Sequence, residues 1–250
     1  MALIEILPTV WVSHRASVDA GVHWGRYIRV YGQAHIASGT VIGDFVTIGC
    51  PSPEELAAAR RDLSESAGSG TRSGTLDALD EFVVDPTEIG PDSIVRGPTS
   101  IYSGVSVGAR LDCAHNVTVR ERCRIGDDCY LKVNTELRRE VVVGDRATLA
   151  GTVGDRASIG DDVTSFGSLI HKYSRVRRGL TEMGPTLKSG CFVGRNTSVI
   201  GPVVVGETAY VAAGAVVARD VPKGSLVVGE TGTVHPDRSP VLRASDRNKE

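Results

Sequence analysis

The sequence predicts an all-β protein wound as a parallel β-solenoid, and three regularities carry that prediction. An aliphatic or aromatic residue recurs every six positions, the residue two places before it is small or aliphatic, and glycine often follows it. The first run of such tiles starts at Val12, Val18, Trp24, Val30, Ile36, Ile42 and Ile48. A second run goes from Ile89 through Val95, Ile101, Val107, Cys113, Val119, Ile125, Leu131, Leu137 and Val143 to Leu149. A short step leads to Val153 and Ile159, and a last run holds Val193, Val199, Val205, Val211 and Val217.

A period of six is neither helical nor simple alternation. A short strand followed by a bend, repeated three times per turn, closes a triangular prism in which each coil touches only its neighbours. Two inward positions per tile follow, as at Val105 with Val107 or Val117 with Val119. Glycine at the second tile position, as at Gly43, Gly90, Gly126, Gly144, Gly160 and Gly206, is expected to serve a tight or positive-φ corner. The tiles make about eight coils and a prism roughly 40 Å long at ~4.8 Å per coil. Each buried Val or Ile is worth about 1.5–3 kcal/mol, so a chain with 5% aromatic residues still has a core.

Two stretches leave the pattern. Residues 50–88 hold PSPEELAAARRDL, with the proline, early acids and alanines of a short helix, then SESAGSGTRSG, which reads as a flexible linker. This insertion reads either as a mobile surface excursion or as a flap over a neighbouring subunit. Residues 165–192 read as a loop concentrating His171, Lys172, Arg175, Arg177 and Arg178 around Tyr173; it is either a solvated loop or a phosphate contact. ARDVPKGSLVVGE closes the prism, so one domain spans 1–235 and a polar tail follows over 236–250.

A net charge of -2 offers no basic excess for a phosphate backbone, and no nucleic-acid partner is expected. No apolar run reaches the ~18 residues that cross a bilayer, and MALIEILPTVWV lacks the basic leader of a signal peptide. The expectation is a cytoplasmic protein with no membrane partner. The five cysteines include no Cys-x-x-Cys pair; Cys113, Cys123 and Cys129 occupy inward positions and read as buried thiols, and no metal is expected.

From IGDFVTIGCPS through IVRGPTSIYSGVSVGARLDCAHNVTVRERCRIGDDCYL to VGRNTSVIGPVVVGETAYVAAGAVVARDVPKGSLVVG, the order of features resembles the hexapeptide-repeat acyltransferases, and among them the bacterial nucleotide-sugar N-acetyltransferases. The resemblance implies a left-handed β-helix, a homotrimer, acetyl-CoA as donor and a nucleotide-linked sugar as acceptor. Related enzymes carry Ala-His-Asp, Asn-His-Asp or Gly-His-Asn where this chain has Ala114, His115 and Asn116. Their histidine is a general base, a role suited to a group with an unperturbed pKa near 6.5.

His115 is thus the expected catalyst, with Asn116 and Asn134 assisting or simply stacking one coil apart. Arg96, Tyr102 and Arg120 lie in stretches matching the family's sugar-binding coils, and His171 and Tyr173 in the basic loop join them as substrate-binding candidates. Ala212, Ala213 and Lys223 are candidates for pantetheine and CoA phosphate. The family commonly ends Val-Val-Gly-Asn-Pro-Ala where this chain has VVGETGTV, and Phe-Thr-Asn-Asp where it has SFGSLIHKY. O-acylation of a natural-product intermediate, a trimeric scaffold without chemistry, and a γ-carbonic-anhydrase-like zinc enzyme are the alternatives.

Overall fold

The computed structural model describes residues 3–65, 79–171 and 183–229. These residues form a left-handed parallel β-helix with three faces, here A, B and C, of 11, 9 and 10 strands. One coil shows how the tiles become faces. β13 (Asp112–Cys113) lies on face C, β14 (Val117–Val119) on face A and β15 (Arg124–Ile125) on face B, and β16 (Tyr130–Leu131) returns to face C against β13. The register sets Cys113 beside Leu131, 18 residues on, so each side chain meets its counterpart one coil away.

All the anticipated tiles are strands, and their named residues are buried except in the first coil, where Val18 is exposed and Trp24 half-buried; the prism is longer than the expected eight coils. β22 (Thr164–Ser165), β23 (Ser168–Ile170) and β24 (Thr186–Leu187) continue the three faces through the stretch expected as a loop over 165–192. Of the expected loop, residues 172–182, with Lys172, Arg175, Arg177 and Arg178, lie outside the described residues. The coils leading into β22 and β23 are 16 residues long, with Leu149 beside Ser165 and Val153 beside Leu169, because the corners at Gly151 and Gly167 are two residues shorter. That shift, and a serine in the inward column, hid the period. β30 (Leu226–Val227) extends face C, while β1 (Leu3–Leu7) runs antiparallel to β2 (Val10–Ser13) and becomes the first strand of face A.

The glycines serve a different purpose from the expected one. Positive φ falls on the fourth tile position, at Arg110, Asn116, Arg122, Asp128, Asn134 and Glu140 among others, with φ of 57–62°. At the second position the requirement is space: a Cβ on Gly126 would collide with Asp145 Oδ1 and lie 2.8 Å from the Gly144 carbonyl carbon. Glycine there lets the corners stack at strand spacing.

The first excursion leaves face A after β8 (Val46–Cys50) and returns to face B at β9 (Thr87–Ile89). Its helix, α1 (Pro53–Glu65), begins with a reciprocal cap: the Glu55 amide donates to Ser52 Oγ at 3.2 Å and the Ser52 amide to Glu55 Oε2 at 2.7 Å. Glu55 also accepts from Ser103 Oγ at 2.6 Å and the Val84 amide at 2.8 Å. On the return arm, buried Asp80 accepts from Ser13 Oγ at 2.8 Å and the Gly32 amide at 2.6 Å. Val83 packs with Leu3, Tyr31 and Trp11. The described parts of the excursion therefore rest on their own prism; the expected linker, and the tail from 230 onward, lie outside the described residues.

Burial would raise the Glu55 pKa, but the hydrogen bonds from Ser103, Ser52 and Val84 outweigh it and hold it below the ordinary 4.5. Its contribution should therefore be complete above pH 4.5 and fade as pH falls through the lower, folded value. In urea unfolding, Glu55→Gln should cost about 1–2 kcal/mol at pH 7, and the gap to wild type should narrow below pH 4. A gap constant from pH 7 to 3 would contradict this assignment.

Candidate active site

The expected site residues fall at three different corners of the prism. His115 and Asn116 form the corner between faces C and A, after β13 and before β14, and Arg96 and Asn134 occupy the same corner one coil to either side. The turn needs a residue at positive φ, and Asn116 (58°) and Asn134 (62°) provide it; asparagine tolerates that region better than most side chains. Their side chains then project together, and Asn116 Nδ2 donates to Asn134 Oδ1 at 2.8 Å.

His115 is exposed, and its Nδ1 lies 2.6 Å from the Gly97 carbonyl oxygen of the preceding coil. A carbonyl only accepts, so Nδ1 carries the proton and Nε2 is left as the basic nitrogen. Gly97 has no room for a side chain, since a Cβ would run into the Asp44 carbonyl oxygen. Arg96 is pinned by an ion pair with Asp112 on the edge of this corner. Beneath the corner, burial pushes the Cys113 thiol up to about 12, which removes it as a nucleophile.

The same corner carries residues that sequence reasoning passed over. Lys132 Nζ lies 4.5 Å from the centre of the Tyr130 ring and 5.7 Å from that of Phe166, and the Arg195 guanidinium stands 5.5 Å from Phe166. Phe192 stacks on Tyr210 at 4.7 Å. This strip of cations and rings leads from the His115 coil toward Ala212 and Ala213, which follow β28 (Tyr210–Val211) at the same corner. From His115 to Ala213 is five coils, about 24 Å at ~4.8 Å each. Writing the sequence in columns of 18 would have exposed part of it, because Phe192 and Tyr210 share one column.

The remaining expected residues lie elsewhere. Lys223 is at the corner between faces B and C, with Nζ 2.5 Å from Glu207 Oε2, and does not join Ala212 and Ala213. Tyr102, Arg120 and His171 are at the corner between faces A and B. Five extended residues separate His115 from Arg120, roughly 16 Å, so these three cannot serve a small substrate held at their own prism's His115. Tyr173 lies outside the described residues.

His115 and His171 are three coils apart at different corners and do not converge on one ion. His14, Asp80 and Glu81 have ligand atoms within 4.8 Å of one another, but Asp80 is already engaged by Ser13 and Gly32.

No protein-family model matches the sequence. The chain is 31% identical over 189 residues to the bifunctional protein GlmU of Pelobacter propionicus, covering 63% of this chain and 40% of that protein. For GlmU of Heliobacterium modesticaldum the values are 32% over 171 residues, 57% and 36%. The tandem tiles, the three-faced helix they build and these relatives agree. The chain is similar to these GlmU proteins over the tiles that build its three-faced helix. It spans about two fifths of the length of the curated relatives it matches. Two solved structures also align: AntD, an N-acyltransferase from Bacillus cereus in complex with dTDP and 3-hydroxybutyryl-CoA (12% identity, 96% of this chain and 86% of that chain, TM-score 0.26), and perosamine N-acetyltransferase from Caulobacter crescentus (16%, 92% and 58%, 0.18). TM-scores this low support no argument about the site.

The ring of His115 should be the Nδ1–H tautomer in long-range 15N–1H spectra at pH 8. Gly97→Ala, which displaces the accepting carbonyl, should abolish that preference and lower stability by about 2–3 kcal/mol. An Nε2–H tautomer in the wild type would refute the geometry.

Proposed function

We propose that the protein transfers an acyl group, acetyl from acetyl-CoA, to an amino group of a nucleotide-linked sugar at the corner between faces C and A. The observation carrying this reading is the hydrogen bond from His115 Nδ1 to the Gly97 carbonyl, which fixes the tautomer and turns Nε2 outward as a base. The amine attacks the thioester carbonyl while His115 Nε2 takes its proton; the tetrahedral intermediate collapses, expelling CoA thiolate, which the imidazolium reprotonates. In this reading a backbone N–H at a glycine corner donates to the developing oxyanion. The Asn116–Asn134 pair borders the acceptor, and Arg96, held by Asp112, offers its remaining N–H groups to the acceptor's phosphates.

The strip from Lys132 to Tyr210 supports the donor assignment. Cations stacked on rings suit an extended ligand that carries phosphates and a flat base, and the strip leads toward Ala212 and Ala213, where the pantetheine arm would lie. His115 stands on a convex edge, so a buried reaction requires a second surface. In this reading a homotrimer supplies it, with a neighbouring prism closing the groove. Both substrates are cytoplasmic metabolites, and the reading places the protein there; no helix among the described residues is long and apolar enough to cross a membrane.

His115→Ala should lower kcat/KM with acetyl-CoA and an amino-sugar nucleotide by about 10²–10⁴-fold and leave acetyl-CoA affinity within a factor of about three by calorimetry. Undiminished turnover would remove His115 as base, and no acetyl-CoA binding by the wild type would remove the donor.

A further inference from the structure

We propose that Tyr27 and Phe45 form a platform on which the base of the acceptor stacks, an inference that rests on the nucleotide-linked acceptor argued above and locates its nucleotide end. Both residues occupy the corner between faces C and A. Tyr27 lies between β4 (His23–Trp24) and β5 (Ile28–Val30), and Phe45 between β7 (Val41–Ile42) and β8. Their rings stack with centroids 4.9 Å apart and planes 11° from parallel.

The packing of the prism does not call for rings at these places. Both residues stand at positive φ, 59° and 60°, a region in which a bulky side chain is out of place. At the other positive-φ positions the described non-glycine residues are Arg, Asp, Asn, Glu or Thr. Tyr27 and Phe45 are 53% and 58% exposed, so neither ring helps to fill the core. A pair of stacked rings in water keeps its outer faces wet, and a third flat ring laid on the stack removes that apolar surface.

The column gives the platform its direction. Trp24, Ile42, Val95 and Cys113 are successive register partners on face C, so the corner residues after them follow in the order Tyr27, Phe45, Pro98 and Asn116. Phe45 is therefore the ring nearer His115, two coils or about 10 Å away. A proline ring stays close to the backbone, which leaves the outer part of the Phe45 face open. Asp44 beside it is committed to the corner backbone, accepting from the Arg26 amide at 2.7 Å.

Arg96, held by Asp112, stands in the coil between Phe45 and His115. Ring, guanidinium and imidazole thus follow one another along a single edge, which is the order of base, diphosphate and amino sugar in a nucleotide-linked acceptor. A guanidinium suits the phosphates and a phenyl face the base. The strip assigned to the donor runs from His115 in the opposite direction, through Lys132 to Tyr210, so donor and acceptor bases have separate places. Stacking accepts any base face, and the platform selects nucleoside diphosphates as a class.

The test is calorimetric titration of the full chain with UDP, dTDP and GDP, with inorganic pyrophosphate as the base-free comparison. The nucleoside diphosphates should bind the wild type more tightly than pyrophosphate does. Phe45→Ala should weaken their binding about 5- to 150-fold, the range of one base–aromatic stack, and leave pyrophosphate binding unchanged. Phe45→Trp should keep the affinity, and Tyr27→Ala should lower it by less than Phe45→Ala. Sedimentation of Phe45→Ala should match the wild type. Nucleoside diphosphate binding that ignores Phe45 would overturn the platform alone, whereas no such binding by the wild type would overturn it together with the nucleotide-linked acceptor. Loss of assembly in Phe45→Ala would make the rings a subunit contact, and displacement of the nucleoside diphosphate by saturating acetyl-CoA would give the platform to the donor; either result would overturn the proposal.

Discussion

The structure depends on one constraint: successive coils must stack at the spacing of hydrogen-bonded strands, at the corners as well as on the faces. A flat strand meets that spacing by default, but a corner does not. The chain satisfies it with a left-handed residue at the fourth tile position and, where the corner is tightest, as after face B at Gly108, Gly126 and Gly144, with a missing Cβ at the second. Once both are in place, every side chain repeats one coil away, and columns rather than isolated residues become the unit of chemistry. The aspartates of the B/C corner show this: the Asp127 amide donates to Asp145 Oδ1 at 2.9 Å, and the Asp145 amide to Asp161 Oδ1 at 2.9 Å. Such ladders are structural, since each acid satisfies a corner amide that has no strand partner.

Side chains make contacts outside the ladder pattern where a column breaks. His115 stands in a column with Gly97 on one side and Val133 on the other, so its ring finds no like neighbour and hydrogen-bonds the backbone instead. Asp155, instead of pairing with one arginine, serves two, Arg138 and Arg139. Both departures occupy corners, because a face offers only outward side chains held in register by its ladder. Corners also admit insertions without disturbing the core, and both excursions leave from one of them.

The tile pattern was legible because inward positions tolerate only small or aliphatic residues, so burial writes itself directly into the sequence. Ser165 defeated it: a serine inside the core, its Oγ buried without a partner among the described residues, does not look like an inward residue. The capping box at Ser52–Glu55 was equally legible in principle, whereas the Asp80 latch was not, since only the folded excursion brings Asp80 to Gly32. His115 stood out as a departure from its column. Arg138, Arg139 and Asp155 did not, because alternating charges at corners look the same in sequence whether they pair one-to-one or share an acid. Sequence also merged Arg120 and His171 with His115, since closeness along the chain or in function says nothing about which corner a residue reaches.

The separation of the two corners has a mechanical consequence. Between His115 and Arg120 lies β14, hydrogen-bonded to a strand on either side, and a ligand at one corner can influence the other only by displacing it. Moving one strand means moving its column, because registers are shared and the Val117 and Val119 side chains are buried in the common core. Cores packed at this density resist small continuous shifts. The prism therefore insulates its corners from one another within a chain. Any coupling between the A/B corner and the His115 corner has to run outside the core. Each corner's geometry is therefore set by the packing of the prism itself.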